Sequence, residues 1–350
     1  MDLNEKERPF GGAAALRGLG LLLAAVLTLW PTVASASAAT VVPVGRAVGI
    51  KLFSDGVVVV GTSDIATEDG NVNPAKDCGL KEGDIITHIN ATEVDTIEEV
   101  SALLQELEGE PMSIRAIRDE RQVQLTAQAA LCSTDGAYKL GAWIRDSMAG
   151  IGTVTFYCPE TGAFGALGHG INDADTALLM PLESGSILPA TVAGVEKGKS
   201  GSPGQLKGVF DTSTTLGLLS ANTTGGVFGA MTDGRWAQGA PVEVAARDEV
   251  RPGEASILCN ISGDRVEEFQ VQIAKVFPES EGDCRDYLLK VTDQRLLDAT
   301  GGIVQGMSGS PILQNGKIVG AVTHVLVDDP ASGYGIYVGR MLQQCSGPAA

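Results

Sequence analysis

Gly301-Gly302-Ile303-Val304-Gln305-Gly306-Met307-Ser308-Gly309-Ser310-Pro311 sets one serine inside a glycine-rich turn. Glycines there let the backbone approach a substrate carbonyl closely. The N–H groups of Gly306 and Ser308 can then converge on a developing oxyanion while the Ser308 hydroxyl attacks. Downstream, Ile312-Leu313-Gln314-Asn315-Gly316-Lys317-Ile318-Val319 reads as two apolar strands joined at Asn315-Gly316, a two-residue hairpin turn. A glycine-serine turn without chemistry fits any single Ser-Gly pair but explains the whole string poorly.

A serine hydroxyl needs a positioned base near neutral pH, and histidine is the usual one. The chain has 3 histidines: His88, His169 and His324. His88 lies in an alternating strand, Asp84–Asn90, far upstream, and reads as a surface residue. His169 sits among small residues in Phe164-Gly165-Ala166-Leu167-Gly168-His169-Gly170-Ile171 and is the favoured base. His324, just after the hairpin, reads as lining a cleft or filling core. A buried carboxylate is then needed to orient the imidazole. Asp293 ends the strand-like run Tyr287–Asp293 and is one candidate. Spacing alone leaves Asp173, Asp175, Asp211 and Asp233 open as alternatives.

Charge and leader narrow the setting. Twenty-five basic residues stand against 43 acidic ones, a net charge of −18. Nucleic-acid binding requires clustered Lys and Arg, so it is disfavoured. Lys6, Arg8 and Arg17 precede an apolar stretch, Gly18–Trp30, with small-x-small cleavage sites at Ala34-Ser35-Ala36 and Ala36-Ser37-Ala38. This is the architecture of an export signal, with a retained membrane anchor as the alternative. Residues 1–38 are therefore assigned to a signal or anchor. Cys78, Cys132, Cys158, Cys259, Cys284 and Cys345 lack metal-ligand spacing, so no structural zinc is expected, and their pairing is not readable.

Residues 39–128 resemble a PDZ domain. Gly79-Leu80-Lys81-Glu82-Gly83-Asp84-Ile85-Ile86-Thr87-His88-Ile89-Asn90 carries the strand-turn-strand pattern. Ile97, Val100, Leu103, Leu104 and Leu107 recur at helical spacing behind a Thr96/Glu99 capping box. Arg115–Leu125 reads as a hairpin turning at Asp119-Glu120. PDZ domains bind peptides by strand addition beside a groove. The resemblance places that groove at Gly49, Ile50 and Leu52, in the run Val48–Leu52, opposite Val100. From residue 129 to 350 short apolar strands and frequent Gly and Pro suit antiparallel barrels, although Glu267–Ala274 also fits a short helix. The expected fold is mostly β: a PDZ domain followed by a trypsin-like double β-barrel.

The motifs are together specific. Ala166-Leu167-Gly168-His169-Gly170-Ile171 with Asp173 and Asp175, then Lys197–Gly204, then Gly301–Val325 continuing to Gly333-Tyr334-Gly335-Ile336, resemble the SpoIVB peptidase family. Asn222–Gly229 fits that pattern only loosely. The resemblance implies a serine endopeptidase with His169, Asp293 and Ser308 as catalytic triad and Gly306 and Ser308 as oxyanion donors. It further implies self-cleavage and an exported sporulation enzyme acting between forespore and mother cell. Its substrate would be a membrane-bound regulator of pro-sigma-K activation, its second partner a PDZ peptide ligand. No metal or organic cofactor is expected. The rivals are a non-catalytic PDZ scaffold and a general envelope quality-control protease.

Overall fold

The computed structural model describes residues 39–278 and 284–345. The segment 1–38, read above as a signal or anchor, lies outside these residues. The chain enters through β1 (Thr40–Pro43) and a 16-residue strand, β2 (Ala47–Thr62). Only the far half of β2 joins the PDZ portion, where Val57 and Val58 pair with Ile86 and Ile85 of β3 (Ile85–Ile89). Helix α1 (Ile97–Glu106) follows, then β4 (Pro111–Arg118) and β5 (Arg121–Gln128), turning at Asp119-Glu120 as expected. Both halves of the Thr96/Glu99 capping box form, a motif worth about 1 kcal/mol. Val100 and Leu104 of α1 pack against Val57, Val59, Ile86, Met112 and Ile114.

The chain then returns as β6 (Ala142–Tyr157), antiparallel to β2 along nearly its whole length, from Ala142↔Thr62 to Thr153↔Ala47. After it come β7 (Ala163–Ala166), β8 (Ser184–Glu196), β9 (Gly217–Thr223) and β10 (Gly226–Met231). Pairings run β6–β7–β10–β9–β8–β2 and back to β6, closing a ring of six strands. Val48, Ile50, Val154, Phe164, Ala166 and Val227 fill its interior.

A second barrel closes through β11 (Gly253–Ser262), β12 (Arg265–Val276), β13 (Tyr287–Val291), β14 (Pro311–Gln314), β15 (Lys317–Leu326) and β16 (Asp329–Tyr337). Glu267–Ala274, compatible with a helix in the sequence, is strand: Phe269, Val271 and Ile273 alternate inward at a period of two. The Asn315-Gly316 hairpin forms as read, with φ of 53° and 78°. Short helices α2 (Gln294–Thr300) and α3 (Val338–Cys345) precede the serine turn and follow β16.

The boundary read at residues 128/129 does not separate the two modules. Residues 40–53 are barrel strands, and the PDZ portion is carried between the far ends of β2 and β6. The described residues from Ala39 onward accordingly form one compact unit. The six cysteines carry no disulfide. Among the described residues no helix is long and apolar enough to cross a membrane.

Candidate active site

The serine turn is built where the two barrels meet. Gly301, with φ 77°, stops α2, and a Cβ there would lie 2.4 Å from Gly198 O. The Lys197–Gly204 segment therefore packs directly against the start of the serine motif. Within the turn, Met307 N–H donates to Val304 O, Gly309 N–H to Val322 O and Ser310 N–H to Met307 O. Those of Gly306 and Ser308 meet no protein acceptor among the described residues, as an oxyanion hole requires. The first barrel grips the turn through Thr153, whose Oγ1 donates to Gly306 O at 2.8 Å and whose N–H donates to Ser308 O at 3.1 Å.

His169 arrives from the loop after β7, through Leu167 (φ 68°) and Gly168 (φ 71°). A left-handed leucine is costly, by about 1–3 kcal/mol, and it buries its side chain beside Gly152. Nδ1 lies 2.8 Å from Gly170 O. A carbonyl can only accept, so Nδ1 carries the proton and Nε2 offers its lone pair. Burial lowers the His169 pKa, opposed by the Gly170 bond, so the ring is neutral near pH 7 and ready to act as base. Asn222 steadies the loop: its Oδ1 accepts from Ile171 N–H, and its Nδ2 donates to the carbonyls of Ile171 and Met180.

His169, Ser308 and His324 line one cleft of about 440 Å³, together with Ile50, Met148–Ile151, Pro203, Gln305 and Thr323. The two imidazoles stand 4.9 Å apart, centre to centre. His324 thus lines the cleft, while His88 lies on β3 in the PDZ portion, bonded to Thr87. In this state Ser308 Oγ donates to Thr323 O at 2.7 Å. The hydroxyl must turn from that carbonyl toward His169 before it can give up its proton.

Asp293 is not brought to the imidazole. It is the N-cap of α2, accepting from Arg295 N–H and Gln270 N–H and paired with the Arg295 guanidinium at 2.8 Å. That guanidinium holds its carboxyl below the usual carboxylate range. The physical reason is local: an aspartate two residues before Arg295 at a helix start is claimed by the cap. The four alternatives are likewise engaged elsewhere. Asp173 and Asp175 hold Arg145, Asp211 closes a turn with Ser213, and Asp233 binds Arg235. The Gly170 carbonyl occupies the orienting position that a carboxylate was expected to fill.

Three residues read as a peptide-binding edge lie inside the first barrel. Gly49, Ile50 and Leu52 pair with β6 on one side and β8 on the other. With both edges of β2 occupied, no peptide can add there, and Ile50 lines the catalytic cleft instead. Val100 lines a groove, but its opposite wall is Ala142, Trp143 and Ile144 of β6 rather than the run Val48–Leu52. Leu140-Gly141-Ala142 leads into that strand, with Gly141 at φ 75°. It repeats the apolar-Gly-apolar order of Val48-Gly49-Ile50, 92 residues further on.

Asp293→Asn keeps a competent cap, so kcat/KM is expected to fall by less than about tenfold; an orienting triad carboxylate would cost about 10⁴-fold. Thr153→Val removes one bond to the turn and leaves Gly306 O unpaired. It is expected to lower kcat about tenfold to a hundredfold with KM little changed, and Thr153→Ser to recover most of the loss. The acid limb of kcat/KM is expected below pH 6.5, because the folded enzyme resists protonating His169; a midpoint above 6.5 contradicts the burial argument. The same depressed value makes stability fall as pH drops below 6.5, where the unfolded chain takes up the proton first.

Fold and site together define a serine peptidase carrying a PDZ domain. Residues 136–342 match the SpoIVB peptidase S55 family and residues 73–118 match the PDZ domain. The chain belongs to the SpoIVB peptidase family and is a serine endopeptidase. Among solved structures it is similar to the Rv3671c protease in inactive form, at 15% identity over 58% of this chain and 85% of that one, TM-score 0.32. The active form from M. tuberculosis gives 16% identity over 59% and 77%, TM-score 0.32. The PDZ domain of the SdrC-like protein from Listeria monocytogenes is 22% identical over 26% of this chain and 87% of that one, TM-score 0.21. No curated protein matches the chain.

Proposed function

We propose that this chain is an exported endopeptidase that cleaves itself during maturation and then cuts a membrane-bound regulator in sporulation signalling, the step that releases pro-sigma-K processing. The observation that carries the catalytic part is the shared cleft of His169 and Ser308, with unspent N–H groups at Gly306 and Ser308. Ser308 Oγ attacks the peptide carbonyl as its proton passes to His169 Nε2. Negative charge on the former carbonyl oxygen is met by the Gly306 and Ser308 N–H groups. His169 then returns the proton to the leaving amine, and water releases the acyl group by the same route in reverse.

Support for the biological role is the family membership together with the basic-then-apolar leader. N-terminal mapping of protein from sporulating cells tests it, with wild type beside Ser308→Ala. The expected result is one export cut in both forms and a further, Ser308-dependent cut in wild type alone. Identical termini in the two forms overturn self-cleavage, and an uncut leader in both overturns processing at that site.

A further inference from the structure

β6 serves two places at once. Over Ala142–Thr153 one of its edges is paired with β2, with the register shifting between Arg145 and Ser147, and the opposite edge meets a strand, β7, only from Val154 onward. Along Ala142–Gly152 that second edge has no partner strand among the described residues. At its near end Ala142, Trp143 and Ile144 form a groove of about 590 Å³ with Ile97, Val100, Ser101 and Leu104 of α1. At its far end Met148, Ala149, Gly150 and Ile151 wall the cleft that holds Ser308 and His169. Thr153 N–H points away from β2, to Ser308 O. By the two-residue alternation of a strand, Ile151 and Ala149 turn their N–H and C=O groups the same way.

We infer that a single extended substrate polypeptide adds to this edge as an antiparallel strand, occupying the α1 groove and the catalytic cleft together. The inference rests on the serine-peptidase reading of the cleft. β6 runs from groove to cleft, so an antiparallel occupant runs from cleft to groove and seats its carboxyl-terminal end against α1. Features at that end suit such an end group. Gly141 turns the backbone at φ 75°, Lys139 lines the groove in an ion pair with Asp135 that an incoming carboxylate would share, and Trp143, 64% exposed, offers an apolar face. From Trp143 to Ile151 is 8 residues, or roughly 26 Å of strand, which an extended peptide covers with about the same number. The enzyme therefore measures: it cuts about eight residues before a free carboxyl terminus.

Peptides of mixed sequence, each prepared with a free and with an amidated carboxyl end, test this on the full chain, with cut sites read by mass spectrometry. Cuts are expected to cluster about eight residues from free carboxyl ends, and amidation to lower kcat/KM roughly tenfold or more, as loss of one of two linked contacts does. Ser101→Trp, which fills the groove from an exposed helical position, is expected to erase the clustering. Cuts scattered relative to the carboxyl end, at rates amidation does not change, overturn the inference while leaving the peptidase reading intact. Failure to cut any peptide, with no fluorophosphonate attachment at Ser308, overturns that reading and the inference with it.

Discussion

Ser308→Ala is expected to lower kcat/KM by at least about 10⁴-fold and to abolish covalent capture by a fluorophosphonate. Ser308 shares one cleft with the His169 imidazole and sits in a turn whose Gly306 and Ser308 N–H groups have no protein acceptor among the described residues. Alanine keeps the turn, because the Ser308 backbone carbonyl and not its side chain receives the Thr153 bond. Loss of the Thr323 contact costs only an ordinary hydrogen bond, about 1 kcal/mol. Activity should therefore vanish from a folded protein. Residual proteolysis near the wild-type rate would show that another group performs the attack.

Gly309→Ala is expected to do comparable damage by a different route. Gly309 holds φ 97°, and a Cβ there would sit 2.1 Å from Thr153 O and 2.6 Å from Leu167 N. Both obstacles are first-barrel backbone, which cannot swing aside as a side chain would. The substitution combines backbone strain with overpacking, about 3 kcal/mol or more in all. It also pushes the nucleophile turn off the strand that supports it and the loop that delivers His169. Thermal unfolding together with probe capture reads both effects. Gly316→Asn is the contrast: its φ is 78°, nothing lies within 4 Å of its Cβ, and asparagine accepts that conformation, so a change under about 1 kcal/mol is expected.

What was legible in the sequence was whatever a short string encodes. The serine turn, the Asn315-Gly316 hairpin, the Thr96/Glu99 box and the small residues around His169 each carry their geometry in neighbouring side chains. Asp293 was not legible in that way. Its fate was settled by Arg295 two residues on, a cap that competes with any distant imidazole. The orienting group is a backbone carbonyl, Gly170 O, which no residue type announces. Thr153 and Asn222 act through partners 153 and 51 residues away, respectively, Gly306 and Ile171. Gly49, Ile50 and Leu52 were misplaced because a strand's propensity does not say which edges are taken. Their alternation fits a barrel interior as well as a peptide-binding edge.

The shared parentage of β2 and β6 constrains how this enzyme can be dissected. A conventional truncation that starts after residue 128 discards β1 and β2, and with them one of the six staves of the first barrel and the wall contributed by Ile50. Such a fragment should be insoluble, whatever its catalytic residues. The workable excision is internal: Phe53 already lies across from Ser147, so a tight connection between Ser54 and Asp146 would leave the barrel whole and the recognition module gone.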